Sequence, residues 1–166
     1  MATPTTLPAT FTAGQVLTAA QQNALRGAFR VLQVVSGTTS TPVINATTTY
    51  ADTGLTATIT PSSTSSKILV LVDHPANYKS AGNVSNAMIM EIQKNGTNLV
   101  QISEYGGYTN SLLVLIFGNS ASYLDSPSSV AALTYKTRFK NLAAAAEVGV
   151  QHVNVPSTII LMEISA

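Results

Sequence analysis

The stretch Leu55-Thr56-Ala57-Thr58-Ile59-Thr60-Pro61-Ser62-Ser63-Thr64-Ser65-Ser66-Lys67-Ile68-Leu69-Val70-Leu71-Val72 joins two different strand patterns through a turn. In the first, Leu55, Ala57 and Ile59 alternate with Thr56, Thr58 and Thr60. A period of two places one set on a buried face and the other on a threonine-covered face. Pro61 to Ser66 has turn composition. Ile68 to Val72 is apolar at every position, so this strand is expected inside a sandwich or at a contact between subunits.

Outward from this stretch the same logic finds more strands. Towards the N-terminus, Val31-Leu32-Gln33-Val34-Val35 is β-branched and apolar and reads as the first strand, with Ser36 to Pro42 a loop. Towards the C-terminus, Asp73 to Ser85 is polar, carries Pro75 and Gly82, and is expected as a loop. Met88 to Lys94 and Thr97 to Ser103 flank Asn95-Gly96. That dipeptide is the strongest short hairpin signal, because both residues tolerate φ > 0. Leu112 to Phe117 is expected as a buried strand and Gly118 to Ser128 as a loop. In Val130 to Lys140, Leu133, Tyr135, Thr137 and Phe139 alternate with Thr134, Lys136, Arg138 and Lys140. Residues 142–148 fit a helical turn or a tight strand, residues 148–155 an edge strand, and Thr158 to Ile164 the last strand. About eight or nine short strands with regular turns predict an all-β, antiparallel sandwich over residues 31–166. The long loops expected at 73–85 and 118–129 suit Greek-key crossings.

Composition narrows the class. The chain has 166 residues, enough for one compact domain and an appendage. It has no cysteine, which excludes disulfides and thiolate metal sites. Only 9% of residues are charged and the net charge is +1. A typical soluble domain carries about 25%. The 45% hydrophobic content argues against disorder, and the better reading is a surface covered by partners or by neutral Thr, Ser and Asn. Near-neutral charge argues against a nucleic-acid partner. The opening residues lack the basic and apolar runs of a signal peptide, and no apolar run is long enough to insert across a membrane.

The inventory for chemistry is thin. His74 and His152 are the two histidines. Asp73 and His74 are adjacent, so in a strand they point to opposite faces. No nucleophile elbow is present. Glu91 and Glu104 are the carboxylates that the Asn95-Gly96 hairpin brings nearest to a facing pair. No calcium-type cluster and no phosphate loop occur. No catalytic residue, metal ligand or cofactor is expected. Lys136, Arg138 and Lys140 form a basic stripe, expected as a protected edge strand or as a contact for an acidic neighbour. Tyr78, Tyr105, Tyr108 and Tyr123 fall in expected loops, where tyrosines bind sugars or protein partners or fold back on the core.

Residues 1–30 read as an extended arm and a short helix. Two prolines and several threonines precede Phe11, Thr18 can cap a helix, and Ala19 to Ala28 are mostly helix formers. Such a helix is marginal alone and must pack on something. Phe11, Val16, Leu17, Leu25 and Phe29 are its expected anchoring residues.

The phrase Phe11 to Leu25, "FTAGQVLTAAQQNAL", resembles the N-terminal attachment segment of many tailed-bacteriophage structural proteins. The run Leu55 to Val72 and the closing Val155 to Ala166, "VPSTIILMEISA", are similar to phrases in phage tail-fibre and other virion β-domains. Those domains are often jelly rolls of the tumour-necrosis-factor or complement-head type, usually trimeric. The resemblance implies a non-enzymatic virion protein with a jelly-roll-like sandwich, a homotrimer anchored to a phage coat or tail protein through residues 1–30. The absence of a long fibre shaft favours capsid decoration (a cement protein). A tail or head fibre binding a host surface glycan is the second expectation, and a polysaccharide-cleaving enzyme the remote third.

Overall fold

The computed structural model describes residues 30–82, 85–144 and 146–165, together with Gly14, Val16, Thr18 and Ala19. Among the described residues ten strands follow in chain order: β1 Val31–Thr39, β2 Val43–Asn45, β3 Ala51–Ile59, β4 Lys67–Lys79, β5 Met88–Lys94, β6 Thr97–Gly106, β7 Leu115–Asp125, β8 Leu133–Asn141, β9 Val148–Val150 and β10 Ser157–Ile164. They pack as two antiparallel sheets. The six-stranded sheet runs β1-β10-β4-β9-β2, with β7 paired to β4, and the four-stranded sheet runs β3-β8-β5-β6.

Between the sheets, Leu55, Ala57 and Ile59 of β3 meet Ile68, Val70 and Val72 of β4, Tyr135 of β8, and Ile159 and Leu161 of β10. A second cluster joins Met88 and Met90 of β5, Phe139 of β8, and Val148 and Val150 of β9. Each large side chain removed from water contributes about 1.5–3 kcal/mol. The alternation expected in β3 and β8 is present: their apolar sets are buried, and their Thr, Lys and Arg sets face out. The β5–β6 hairpin turns at Asn95 and Gly96, with φ of 49° and 85°. Positive φ at both positions gives the primed turn that matches strand twist.

Several expectations are corrected. The loop expected at 73–85 is strand as far as Lys79. Pro75 is tolerated because the register shifts between His74 and Asn77, so its missing N–H costs no ladder bond. The inward polar residues His74, Asn77 and Lys79 hid the strand from a hydrophobicity reading. The loop expected at 118–128 is mostly β7, whose small residues pair along β4. Conversely, Leu112 to Val114 precede the strand and are exposed rather than buried. β1 continues through the loop expected at Ser36 and ends at Thr39. The edge strand expected at 148–155 is only β9, flanked by β4 and β2 and followed by a 3₁₀ turn, His152–Asn154. Leu142 to Ala144 are a turn. β8 is not an edge: it lies between β3 and β5.

Candidate interaction surface

The two sheets expose faces of different chemistry. On the outward face of the six-stranded sheet, register sets Val34 beside Met162, Met162 beside Leu69, and Leu69 beside Leu124. This apolar row crosses four strands, and its ends, Val34 and Leu124, are 55% and 50% exposed. The next row is Ser36, Ile160, Leu71 and Ser122, and the one after is Thr38, Thr158, Asp73 and Ser120. Beyond the bulge in β4 the face turns apolar again. Ile44 lies opposite Gly149, and Tyr78 lies between Gly149 and Ile116. Gly149 permits this row, because a Cβ there would sit 2.2 Å from the Tyr78 ring. The ring also meets His152 in a tilted contact, 4.9 Å between centroids and 46° between planes.

Charge is nearly absent from this face. Lys67 donates to Ser126, and Asp73 accepts from Ser120, so both are engaged within the chain. No charged residue stands between Glu104 and Asp125, a span that covers almost all of β7 and the loop before it. In that loop Leu112 and Val114 are 65% and 61% exposed. The buried Lys79 ammonium holds the loop by donating to Thr109 Oγ1 at 2.5 Å and to the Ser111 carbonyl. Tyr105 and Tyr108 meet edge to face beside it, with centroids 5.8 Å apart.

The outward face of the four-stranded sheet is charged, and most of its charges are paired within the chain. Lys136 lies 2.9 Å from Asp52, while Arg138 reaches both Asp52 at 3.5 Å and Glu91 at 3.7 Å. The Tyr50 ring lies under Arg138 and Lys140, at 5.3 and 4.7 Å from its centroid. Burial, and then the neighbouring Glu91 carboxylate, push the Tyr50 hydroxyl above its usual pKa. A depression of about 150 Å³ opens at the register shift between Asp52 and Thr56, lined by Asp52, Gly54, Leu55, Thr56, Lys136 and Thr137.

Beneath that depression, a polar network bolts the sheets together. His74 of β4 contacts Ser157 Oγ through Nδ1 at 2.8 Å and Thr137 Oγ1 through Nε2 at 3.0 Å. Thr137 Oγ1 in turn meets Thr53 Oγ1 at 2.6 Å, and Gln151 Nε2 donates to Ser157. His74 is fully buried, and burial lowers its pKa to about 4, against a weaker opposing pull from Asp73. Its ring is therefore neutral at pH 7, its hydrogen-bond partners are uncharged, and Asp73 bonds outward to Ser120. This arrangement stabilises the sandwich and has none of the access that a nucleophile and base require.

A second buried group closes the end of the sandwich. Burial alone would raise the Glu163 carboxyl. Ser62 and Gln33 outweigh that cost, with donors 2.6–2.7 Å from its oxygens, and hold it at about 2. The ionised carboxylate thus ties the turn after β3 to β10 and β1. Among the described residues no group of three His, Cys, Asp or Glu could hold a metal ion, and no helix is long and apolar enough to cross a membrane.

The residues chosen from sequence divide accordingly. Lys136, Arg138 and Lys140 do form one stripe, but on a central strand and largely answered by Asp52, Glu91 and Tyr50. Tyr78 and Tyr123 are in strands rather than loops, since their neighbours continue the β ladder; Tyr123 packs on the core. Tyr105 is the last residue but one of β6, and Tyr108 alone of the four lies in a loop. Glu91 is buried opposite Gln101, so it does not face Glu104. Of the anchoring set, Phe11, Leu17, Leu25 and Phe29 lie outside the described residues, as does most of the expected arm and helix; Val16 is 85% exposed. Sequence reading missed Val34, Met162 and Leu124 as parts of one row, because only the pairing order aligns them. The all-apolar Ile68 to Val72 was the signal that could have found it. The chain matches no protein-family model and no curated protein.

Proposed function

We propose that the chain is a non-enzymatic structural protein of a tailed-phage virion, a capsid decoration protein that works as a homotrimer and is anchored by residues 1–30. One observation carries the structural role: a sheet face with an exposed apolar row and few charges stands opposite a face most of whose charges are paired within the chain. Exposed apolar surface on this scale marks an interaction site. The most buried histidine and carboxylate are spent on holding the sandwich, which leaves little inventory for catalysis. The virion assignment rests on the sequence resemblances. The strand orders β1-β10-β4-β7 and β3-β8-β5-β6, with repeated crossings between sheets, support a jelly-roll reading.

The fibre reading draws on the exposed Tyr105–Tyr108 pair, an aromatic platform suited to a sugar face. Copy number in purified virions, measured by quantitative mass spectrometry against the major coat protein, separates the two. Hundreds of copies are expected for decoration. Tens or fewer would replace it with a fibre role, and absence from virions would overturn both.

A further inference from the structure

One edge of the six-stranded sheet is open and unblunted. β7 pairs with β4 along one side, and no strand is paired to its other side among the described residues. It is an 11-residue strand, Leu115–Asp125, with no charge before Asp125 and no proline. The register irregularity nearby belongs to β4, between His74 and Asn77, and leaves β7 itself unbulged. Edges of this length are normally blunted by charge, proline or a bulge, because their free N–H and C=O groups template pairing. The sequence holds a segment of matching character outside the described residues. No charged side chain precedes Arg26. Between Thr3 and Phe11 the two prolines, Pro4 and Pro8, are four apart. N–H groups of an extended strand alternate between its two sides, so both missing donors would fall on one side. The other side would keep a donor at Thr3, Thr5, Leu7, Ala9 and Phe11. Side chains alternate with the same period, so that intact set also carries the segment's large apolar groups, Leu7 and Phe11.

We infer that residues 3–11 of the same chain add to the free edge of β7 as one further strand, with Pro4 and Pro8 facing away from the sheet. Charge selects this occupant, because an uncharged segment on an uncharged edge gives up no ion hydration when the two pair. Reach permits it. Arg30 is tied into the sheet through Ser165, whose Oγ accepts from the Arg30 N–H at 3.0 Å and whose N–H donates to the Arg30 carbonyl at 2.9 Å. This tie stands at the end of the sheet where β7 finishes. Val31 lies opposite Ile164, Ile164 opposite Lys67, and Ile68 opposite Asp125. The order β1-β10-β4-β7 puts β7 three strand spacings from β1, or ~14 Å at about 4.8 Å each. Residues 12–29 cover ~27 Å even as one continuous helix at about 1.5 Å per residue. Prolines in sheets belong on edge strands with the missing N–H towards solvent, and there they end the ladder. The added strand therefore converts an edge that invites other chains into one that stops the sheet. The inference goes beyond the proposed role and does not depend on it. It leaves Val16, Leu17, Leu25 and Phe29 for the anchoring contacts.

The test is amide hydrogen exchange on the purified full-length chain, with proline variants chosen by strand parity. In the wild type, the β7 amides that do not donate to β4 are expected to exchange about a hundredfold more slowly than in Thr5→Pro or Ala9→Pro, each of which removes a donor aimed at β7. Thr6→Pro and Thr10→Pro fall on the outer side and are expected to keep the protection. All four substitutions lie outside the sandwich, and exchange at the β5–β8 ladder serves as the control that the fold is intact. Protection that is lost equally, or kept equally, in the two pairs of variants would overturn the inference. So would β7 amides that exchange freely in the wild type. Protection is expected to be independent of protein concentration. Its loss on dilution would assign the added strand to another copy and would overturn the inference as well. None of these outcomes depends on copy number in virions, so the inference and the proposed function fail separately.

Discussion

The outward faces of the two sheets differ in where their charges go. Across β3, β8 and β5, Asp52, Arg138 and Glu91 fall in one register row and satisfy one another. Across β1, β10, β4 and β7, the corresponding position is filled by Val34, Met162, Leu69 and Leu124. Both faces belong to one sandwich and back onto the same two core clusters, so stability of the fold does not require the second face to be apolar. The difference teaches that the four-stranded face satisfies most of its charges within the chain, whereas the six-stranded face leaves an apolar row exposed, the feature on which the proposed structural role rests.

The largest effect expected from breaking this contrast is at the apolar row. If the chain works as the homotrimer proposed above with this row at its contact, Leu69→Lys, at the row's centre, should weaken association by at least ~2.7 kcal/mol, the equivalent of a hundredfold change at about 1.4 kcal/mol per decade. Sedimentation equilibrium measures it, and an undisturbed assembly would erase the distinction between the faces. On the charged face, Arg138→Ala should leave assembly intact and cost about 2 kcal/mol in urea unfolding. Glu91, only 3% exposed, would lose its cation.

Acid should act on the core of the sandwich. The folded pKa of His74 is lowered to about 4 from 6.5, so its contribution is complete above pH 6.5 and is lost as pH falls towards 4. Glu163 is lowered to about 2 from 4.5, so its contribution is complete above pH 4.5 and is lost as pH falls towards 2. Urea midpoints should therefore decline in two stages on acidification. His74→Gln should flatten the upper stage and Glu163→Gln the lower one; a single stage that survives both changes would contradict these assignments. The smallest effect is expected for Lys136→Ala. Its partner Asp52 is half exposed, and such a surface pair contributes less than about 1 kcal/mol in thermal or urea unfolding. Raising salt should weaken that contribution further and leave the apolar association undiminished.

Much of the sandwich was legible because its signals are local. Leu55, Ala57 and Ile59 alternate with threonines, Asn95-Gly96 supports positive φ, and Leu133 to Lys140 keeps strict period. The strands that were misread are those with one face built from polar or small residues. His74, Asn77 and Lys79 look like loop residues until Ser157, Thr137 and Thr109 supply their partners from elsewhere in the chain. β7 looks like a loop because Gly118, Ser120 and Ser122 carry no hydrophobic pattern, and only its pairing with β4 makes it a strand. The candidate surface was legible only in part: Ile68 to Val72 announced an apolar strand on both faces, but not which strands would lie beside it.

The sequence by itself determined the class of the fold, the positions of most core residues, the hairpin turn and a surface poor in charge. These follow from side-chain periodicity and backbone preference, which act within a few residues. Tertiary structure decided that the basic stripe would be answered by Asp52 and Glu91, and that His74 would be buried neutral between hydroxyls. It also decided that Val34, Met162, Leu69 and Leu124 would align into one exposed row. Those outcomes depend on which strands become neighbours, and strand order is set by the packing of the whole chain rather than by any stretch of it.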